Sequence, residues 1–162
     1  MLYFKTIPYP ENVTQPQLEK ALRKYALKRT SVLDFKSCTF NIGLEQLFLG
    51  HERKNDLQFT RIKTSFEMLL TKLIIKLSKD PAAKGYRIRL SAVPLALALV
   101  LGFGVIANIM AIFTGNVSIE SLVTIGLPLI IFIGLIYFEL TLVIGRVKNA
   151  LDLSGVTTFP SS

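Results

Sequence analysis

Two long apolar runs dominate the C-terminal half of the chain, and their lengths predict two helices. Leu90 to Phe113 spans 24 residues in which Ser91 and Asn108 are the clearly polar members. Leu122 to Ile144 spans 23 residues interrupted by Thr124, Glu139 and Thr141. Each exceeds the roughly 20 residues that cross a hydrocarbon core of about 30 Å. The eight residues between them, Thr114 to Ser121, suffice for a helix–helix connection but not for a domain, so the runs are expected to be antiparallel neighbours.

The N-terminal half is patterned differently. Thr14 with Gln17 three positions later, flanked by Val13 and Leu18, reads as a capping box with a hydrophobic staple. Leu18, Ala21, Leu22 and Tyr25 then recur on one face of a helix expected to run to about Leu27. Beyond it the pattern alternates and is punctuated by turn formers. Residues 35–42, 46–52 and 57–62 read as strands, with Arg53 to Asp56 as a hairpin turn, Leu73, Ile75 and Leu77 on one strand face, and Tyr86 to Arg89 as a last strand leading into the first apolar run. Residues 2–7 read as an edge strand. The expected fold class is α+β: one amphipathic helix on a mainly antiparallel sheet over residues 1–88, followed by a two-helix transmembrane hairpin over 89–145 (spans about 90–113 and 122–144) and a short tail over 146–162.

Charge divides the chain at the same place. Residues 1–89 carry 17 Lys and Arg against 8 Asp and Glu, whereas residues 90–145 contain only Glu120 and Glu139. Arg87 and Arg89 precede the first run, Arg146 and Lys148 follow the second, and the connecting loop has no basic residue. The positive-inside bias then predicts both termini on the cytoplasmic side, with the bilayer as first partner. The opening residues lack the pattern of a cleaved signal, so the first span is expected to direct insertion. A single cysteine, Cys38, excludes an internal disulfide and reads as strand core.

Within the spans, Glu139 and Asn108 form the intramembrane polar site. Glu139 lies six residues from Gly145, about 9 Å along a helix, where it is expected either to pair with Arg89 or Arg146 or to be protonated, an ion or proton path through it being the rival reading. Ala98, Gly102, Gly104, Ala107 and Ala111 in the first span, with Gly126 and Gly134 in the second, are candidates for helix packing within the hairpin or against another membrane protein. Lys20, Arg23, Lys24 and Lys28, with Arg87, Arg89, Arg146 and Lys148, are candidates for contact with anionic lipid headgroups. The same basic helix face reads equally as a solvated surface, and a nucleic-acid partner is not expected. No phosphate loop, paired-cysteine site or nucleophile elbow occurs, and no cofactor or metal is expected. His51 reads as a solvated strand or turn residue, and the sequons at Asn12 and Asn116 as accidental.

The run Phe48 to Leu77, with Gly50, Asn55, Phe59 and Arg61, followed by Gly115 to Leu122 and Phe138-Glu139, resembles a group of small uncharacterised bacterial two-span membrane proteins with an N-terminal β-rich cytoplasmic domain. Where that group often has Asn-Ser-Phe-x-Pro, this chain has Thr64-Ser65-Phe66-Glu67-Met68. The resemblance implies the architecture and a bacterial inner-membrane location, and brings no activity. The expected function is therefore a non-enzymatic interaction module: an accessory or assembly subunit meeting a membrane protein through the hairpin and a cytoplasmic protein through the domain. The alternative is a free-standing module on anionic lipid.

Overall fold

The computed structural model describes residues 5–10, 12–30, 32–35, 46–64, 67, 69–80, 83–115, 118 and 120–156. Six strands form one sheet: β1 (Lys5–Pro8), β2 (Ala26–Arg29), β3 (Phe48–Glu52), β4 (Asp56–Arg61), β5 (Leu73–Ser78) and β6 (Gly85–Leu90), in the order β1-β6-β5-β4-β3-β2. Every pairing is antiparallel except β2 with β3. The expected α+β class with a mainly antiparallel sheet is what the chain adopts.

Helix α1 (Gln15–Lys24) begins as its sequence predicts, with the Thr14 amide donating to Gln17 Oε1 at 2.8 Å and Pro16 in the first turn, where its missing N–H costs nothing. It ends three residues earlier than expected. The Tyr25 carbonyl accepts from the Leu47 and Phe48 amides, which turns Ala26 to Arg29 into a strand beside β3. Of the expected strand over 35–42 only Phe35 is described, as the end of a 3-10 turn (Leu33–Phe35); the remainder, with Cys38, lies outside the described residues. Close approach sets one position in the sheet: a Cβ on Gly85 would stand 2.3 Å from the Ile7 carbonyl oxygen across the β1–β6 pair.

Alternation sorts the sheet into two faces. Phe48, Leu57, Phe59, Leu73, Ile75, Leu77, Tyr86 and Ile88 lie on the helix-covered face and form the main core with Leu18, Ala21 and Leu22 of α1. Leu49 and Ile74 lie on the other and pack with Leu33 of the 3-10 turn.

Helices α2 (Ala92–Phe113) and α3 (Glu120–Leu153) form an antiparallel hairpin. Both are long and apolar enough to cross a membrane, with mean hydropathy of 2.5 and 2.4 in their most apolar stretches. No residue of α2 is buried within the chain. The boundary of the second run differs from expectation. No tail begins at 146; α3 continues unbroken to Leu153, and Leu140, Val143, Val147, Ala150 and Leu151 join the same core as α1 and the sheet. These positions continue one helical stripe past Arg146 and Lys148, which is why the helix does not stop at the charges. It stops at a glycine: Gly155 takes φ 81°, its amide donates to the Asp152 carbonyl, the Val156 amide donates to the Leu151 carbonyl, and Val156 packs on the core.

Candidate functional site

The end of the sheet carrying Arg61, Leu73 and Leu90 adjoins the hairpin, since one residue separates β6 from α2. The opposite end carries Glu52, Asp56, Ser78 and Gly85. The buried pairs Arg61–Glu139 and Arg89–Asp34 lie at the hairpin end.

Arg61 closes β4 on the face that otherwise presents Leu57 and Phe59, and its side chain is 1% exposed. Its Nε donates to Glu139 Oε1 at 3.2 Å and its Nη2 to Glu139 Oε2 at 2.8 Å, while Nη1 donates to Glu67 Oε1 at 2.6 Å. The other Glu67 oxygen accepts from the Thr64 amide at 2.9 Å. Lys63 is buried beside them. Its Nζ donates to the Leu70 and Thr71 carbonyls at 2.6 and 2.9 Å and stands 3.8 Å from Glu139 Oε1. Two cations thus face two carboxylates, so the cluster is neutral and its donors are matched, the condition under which charge tolerates burial.

Burial works against the Arg61 charge, but the Glu139 and Glu67 carboxylates outweigh it and raise its pKa. At Glu67 burial favours the neutral acid, and the Thr64 amide with the Arg61 guanidinium overturns that and lowers the pKa.

A second pair fixes the other helix. Arg89 Nη1 and Nη2 donate to the two Asp34 oxygens at 2.7 and 2.8 Å, and Asp34 Oδ1 also accepts from the Ala92 amide at 3.1 Å. A carboxylate thus sits on the first amide of α2, where the helix dipole favours it. The Arg89 hydrogen bond, against opposing burial, lowers the Asp34 pKa.

The predicted site residues distribute unevenly around these pairs. Glu139 is buried as an ionic partner, but of Arg61 and not of Arg89 or Arg146, because Arg89 points to the opposite sheet face and is taken by Asp34. Asn108 is remote from it: its Oδ1 accepts from Ser121 Oγ at 2.8 Å, joining α2 to the start of α3 at the loop end. Of the glycines proposed for packing, only Gly104 meets the other helix, its Cβ position lying 3.4 Å from Ile125; Gly102, Gly126 and Gly134 face open space. Ala98 and Ala111 are half-buried and Ala107 is exposed.

The basic set is also corrected in part. Arg89 is no headgroup ligand, being enclosed with Asp34. Arg23 bonds Glu19 and Glu52, at the end of β3 away from the hairpin; four strand residues, about 13 Å, separate Glu52 from the hairpin end. Lys20, Lys24, Lys28 and Lys148 are exposed, Lys24 lying over the Tyr25 ring, while Arg87 is on the sheet face away from α1 and Arg146 is partly buried. His51 Nδ1 lies 3.1 Å from the Arg29 carbonyl oxygen, within a strand pair. No cluster of three metal-ligating side chains occurs among the described residues.

No protein-family model, curated protein or solved structure matches the chain.

Arg61, Lys63, Glu67 and Asp34 are site residues that the candidate set drawn from the sequence does not include. A signal for Arg61 was present. An arginine that follows Leu57 and Phe59 at alternate positions occupies a core face and calls for a buried acid, and Glu139 is an acid within an apolar run.

Proposed function

We propose that the chain is a non-enzymatic integral membrane module whose hairpin crosses the bacterial inner membrane twice, with both termini cytoplasmic, and that it serves as an accessory or assembly subunit of a larger membrane complex. One observation carries this reading: α3 is a single helix shared by the hairpin and the domain core, clamped to the sheet by Arg61. A helix of 34 residues is about 51 Å long, more than the bilayer core requires, and the surplus forms part of the folded domain. An orientation imposed on the hairpin in the membrane plane is therefore imposed on the domain. Such a device suits a part that must present a surface at a fixed angle to a neighbour. The exposed apolar faces of both helices, including those around Gly102, Gly126 and Gly134, are free for lipid or for that neighbour. The likeness to small bacterial two-span proteins is consistent with this architecture.

Native mass determination after mild detergent extraction tests the proposal. A stoichiometric membrane partner is expected. A bare monomer would instead favour the free-standing module on anionic lipid.

A further inference from the structure

Outside the two hairpin helices, Val32 and Leu69 are the only exposed large apolar side chains among the described residues, 43% and 86% exposed. A single exposed apolar residue needs no explanation. The position of these two does, because each lies in a segment that a carboxylate ties to one hairpin helix, Asp34 by accepting from the Ala92 amide of α2 and Glu67 through Arg61 to Glu139 of α3. Val32 precedes the 3-10 turn whose Asp34 binds Arg89 and the first amide of α2. Leu69 lies two residues after Glu67, which binds Arg61 and through it α3. The Lys72 ammonium donates to the Leu33 carbonyl and the Lys72 carbonyl accepts from the Ser91 amide, so the two segments meet at the hairpin's root.

We propose that Val32 and Leu69 form an apolar collar that seats the domain in the interfacial region of the bilayer, on either side of the emerging hairpin. The inference rests on the membrane-spanning reading above. Helix length then fixes the depth. With 22 residues α2 is about 33 Å long, against a hydrocarbon core of about 30 Å, so the core boundary must lie close to Ala92. No spacer lets the domain stand away from it, since β6 ends at Leu90. Headgroups add about 5–7 Å on each side of the core, which places the segment bound to Ala92 and the segment joined to Glu139 through Arg61 within reach of that layer. On α3 the same level is marked by Tyr137, 58% exposed and two residues from Glu139, the residue type that favours the interface. The exposed surface of Val93 continues the apolar band from the collar onto the hairpin. The occupant is thus lipid at the headgroup boundary, reached by apolar side chains and not by basic ones.

The test uses the full-length protein in liposomes, with Cys38→Ser as background and an environment-sensitive fluorophore on a single cysteine at position 32, 69, 54 or 100. Val32 and Leu69 are exposed, so labelling them disturbs no core contact; Lys54 marks the far end and Val100 the lipid face of α2. Labels at 32 and 69 are expected to be blue-shifted and quenched by lipids spin-labelled near the headgroup, with iodide quenching several-fold below that at 54. If 32 and 69 behave like 54 while 100 is quenched by lipid, the collar is wrong and the membrane reading stands. Shielding of 32 and 69 from both quenchers also overturns the collar, because a protein surface then covers it. If position 100 is itself untouched by lipid quenchers, the underlying membrane reading fails.

Discussion

Arg61 and Glu139 lie 78 positions apart and share two hydrogen bonds of 3.2 and 2.8 Å, with each side chain only 1% exposed. One residue ends a central strand and the other lies near the middle of α3. The pair therefore sets how the hairpin meets the sheet.

Removing one partner of a buried pair leaves the other charge without compensation, at a cost of about 3–5 kcal/mol. Arg61→Met is expected to lower stability toward that amount, since it removes the guanidinium that Glu139 and Glu67 share and leaves Glu139 only the Lys63 ammonium at 3.8 Å. Glu139→Gln keeps shape and Glu67 keeps one cation bond, so a smaller loss is expected. Replacing both residues by Met should recover part of the difference. Denaturant midpoints in detergent micelles measure the series. An Arg61→Met protein as stable as the parent would remove the clamp from the account.

Acid should weaken the domain before it affects the hairpin. Glu52, held by Arg23 and Lys79 hydrogen bonds, has its pKa lowered from 4.5 to about 2, and Asp34 and Glu67 are also lowered. A carboxylate whose folded pKa lies below its unfolded value stabilises the fold above the unfolded value, and that contribution disappears as pH falls through the folded one. Stability should be flat above pH 4.5 with respect to Glu52 and decline from there toward pH 2. Glu52→Gln should flatten part of that decline, by an amount that shrinks with added salt because the group is exposed. Thermal midpoints against pH, in parent and variant, provide the check; an identical acid limb in both would count against the Glu52 network.

Glycine substitutions separate backbone contact from open helix faces. Gly85→Ala must displace the Ile7 carbonyl, so it should destabilise or detach β1. Gly102→Ala, Gly126→Ala and Gly134→Ala meet nothing and should leave the isolated protein unchanged or slightly more stable through helix propensity. Midpoints of the four variants report this. A large loss at any of the three hairpin glycines in the purified chain would mean that the helices pack differently.

The sequence made some of this architecture legible and concealed the rest for identifiable reasons. The apolar runs, the Thr14–Gln17 cap and the alternation of Leu73, Ile75 and Leu77 are local patterns, and each produced its element. Strand β2 was hidden because Tyr25 looks like one more position on the α1 stripe, and its strand partner β3 begins only at Phe48. The end of α3 was hidden because Arg146 and Lys148 look like a membrane boundary, although the apolar stripe passes through them to Leu151. For the site, Glu139 was conspicuous as an acid among apolar residues, but its partner lay across the fold and could not be reached by proximity in sequence.

Sidedness and double crossing together carry the account, and cysteine accessibility tests them most directly. In intact cells carrying the Cys38→Ser chain, a cysteine at Ser118, in the loop between the helices, should react with an impermeant thiol reagent from outside. One at Asn149, exposed on the domain end of α3, should react only after the membrane is opened. Reaction at 149 but not 118 in intact cells would invert the topology. A chain released from the membrane by alkaline carbonate would contradict insertion altogether.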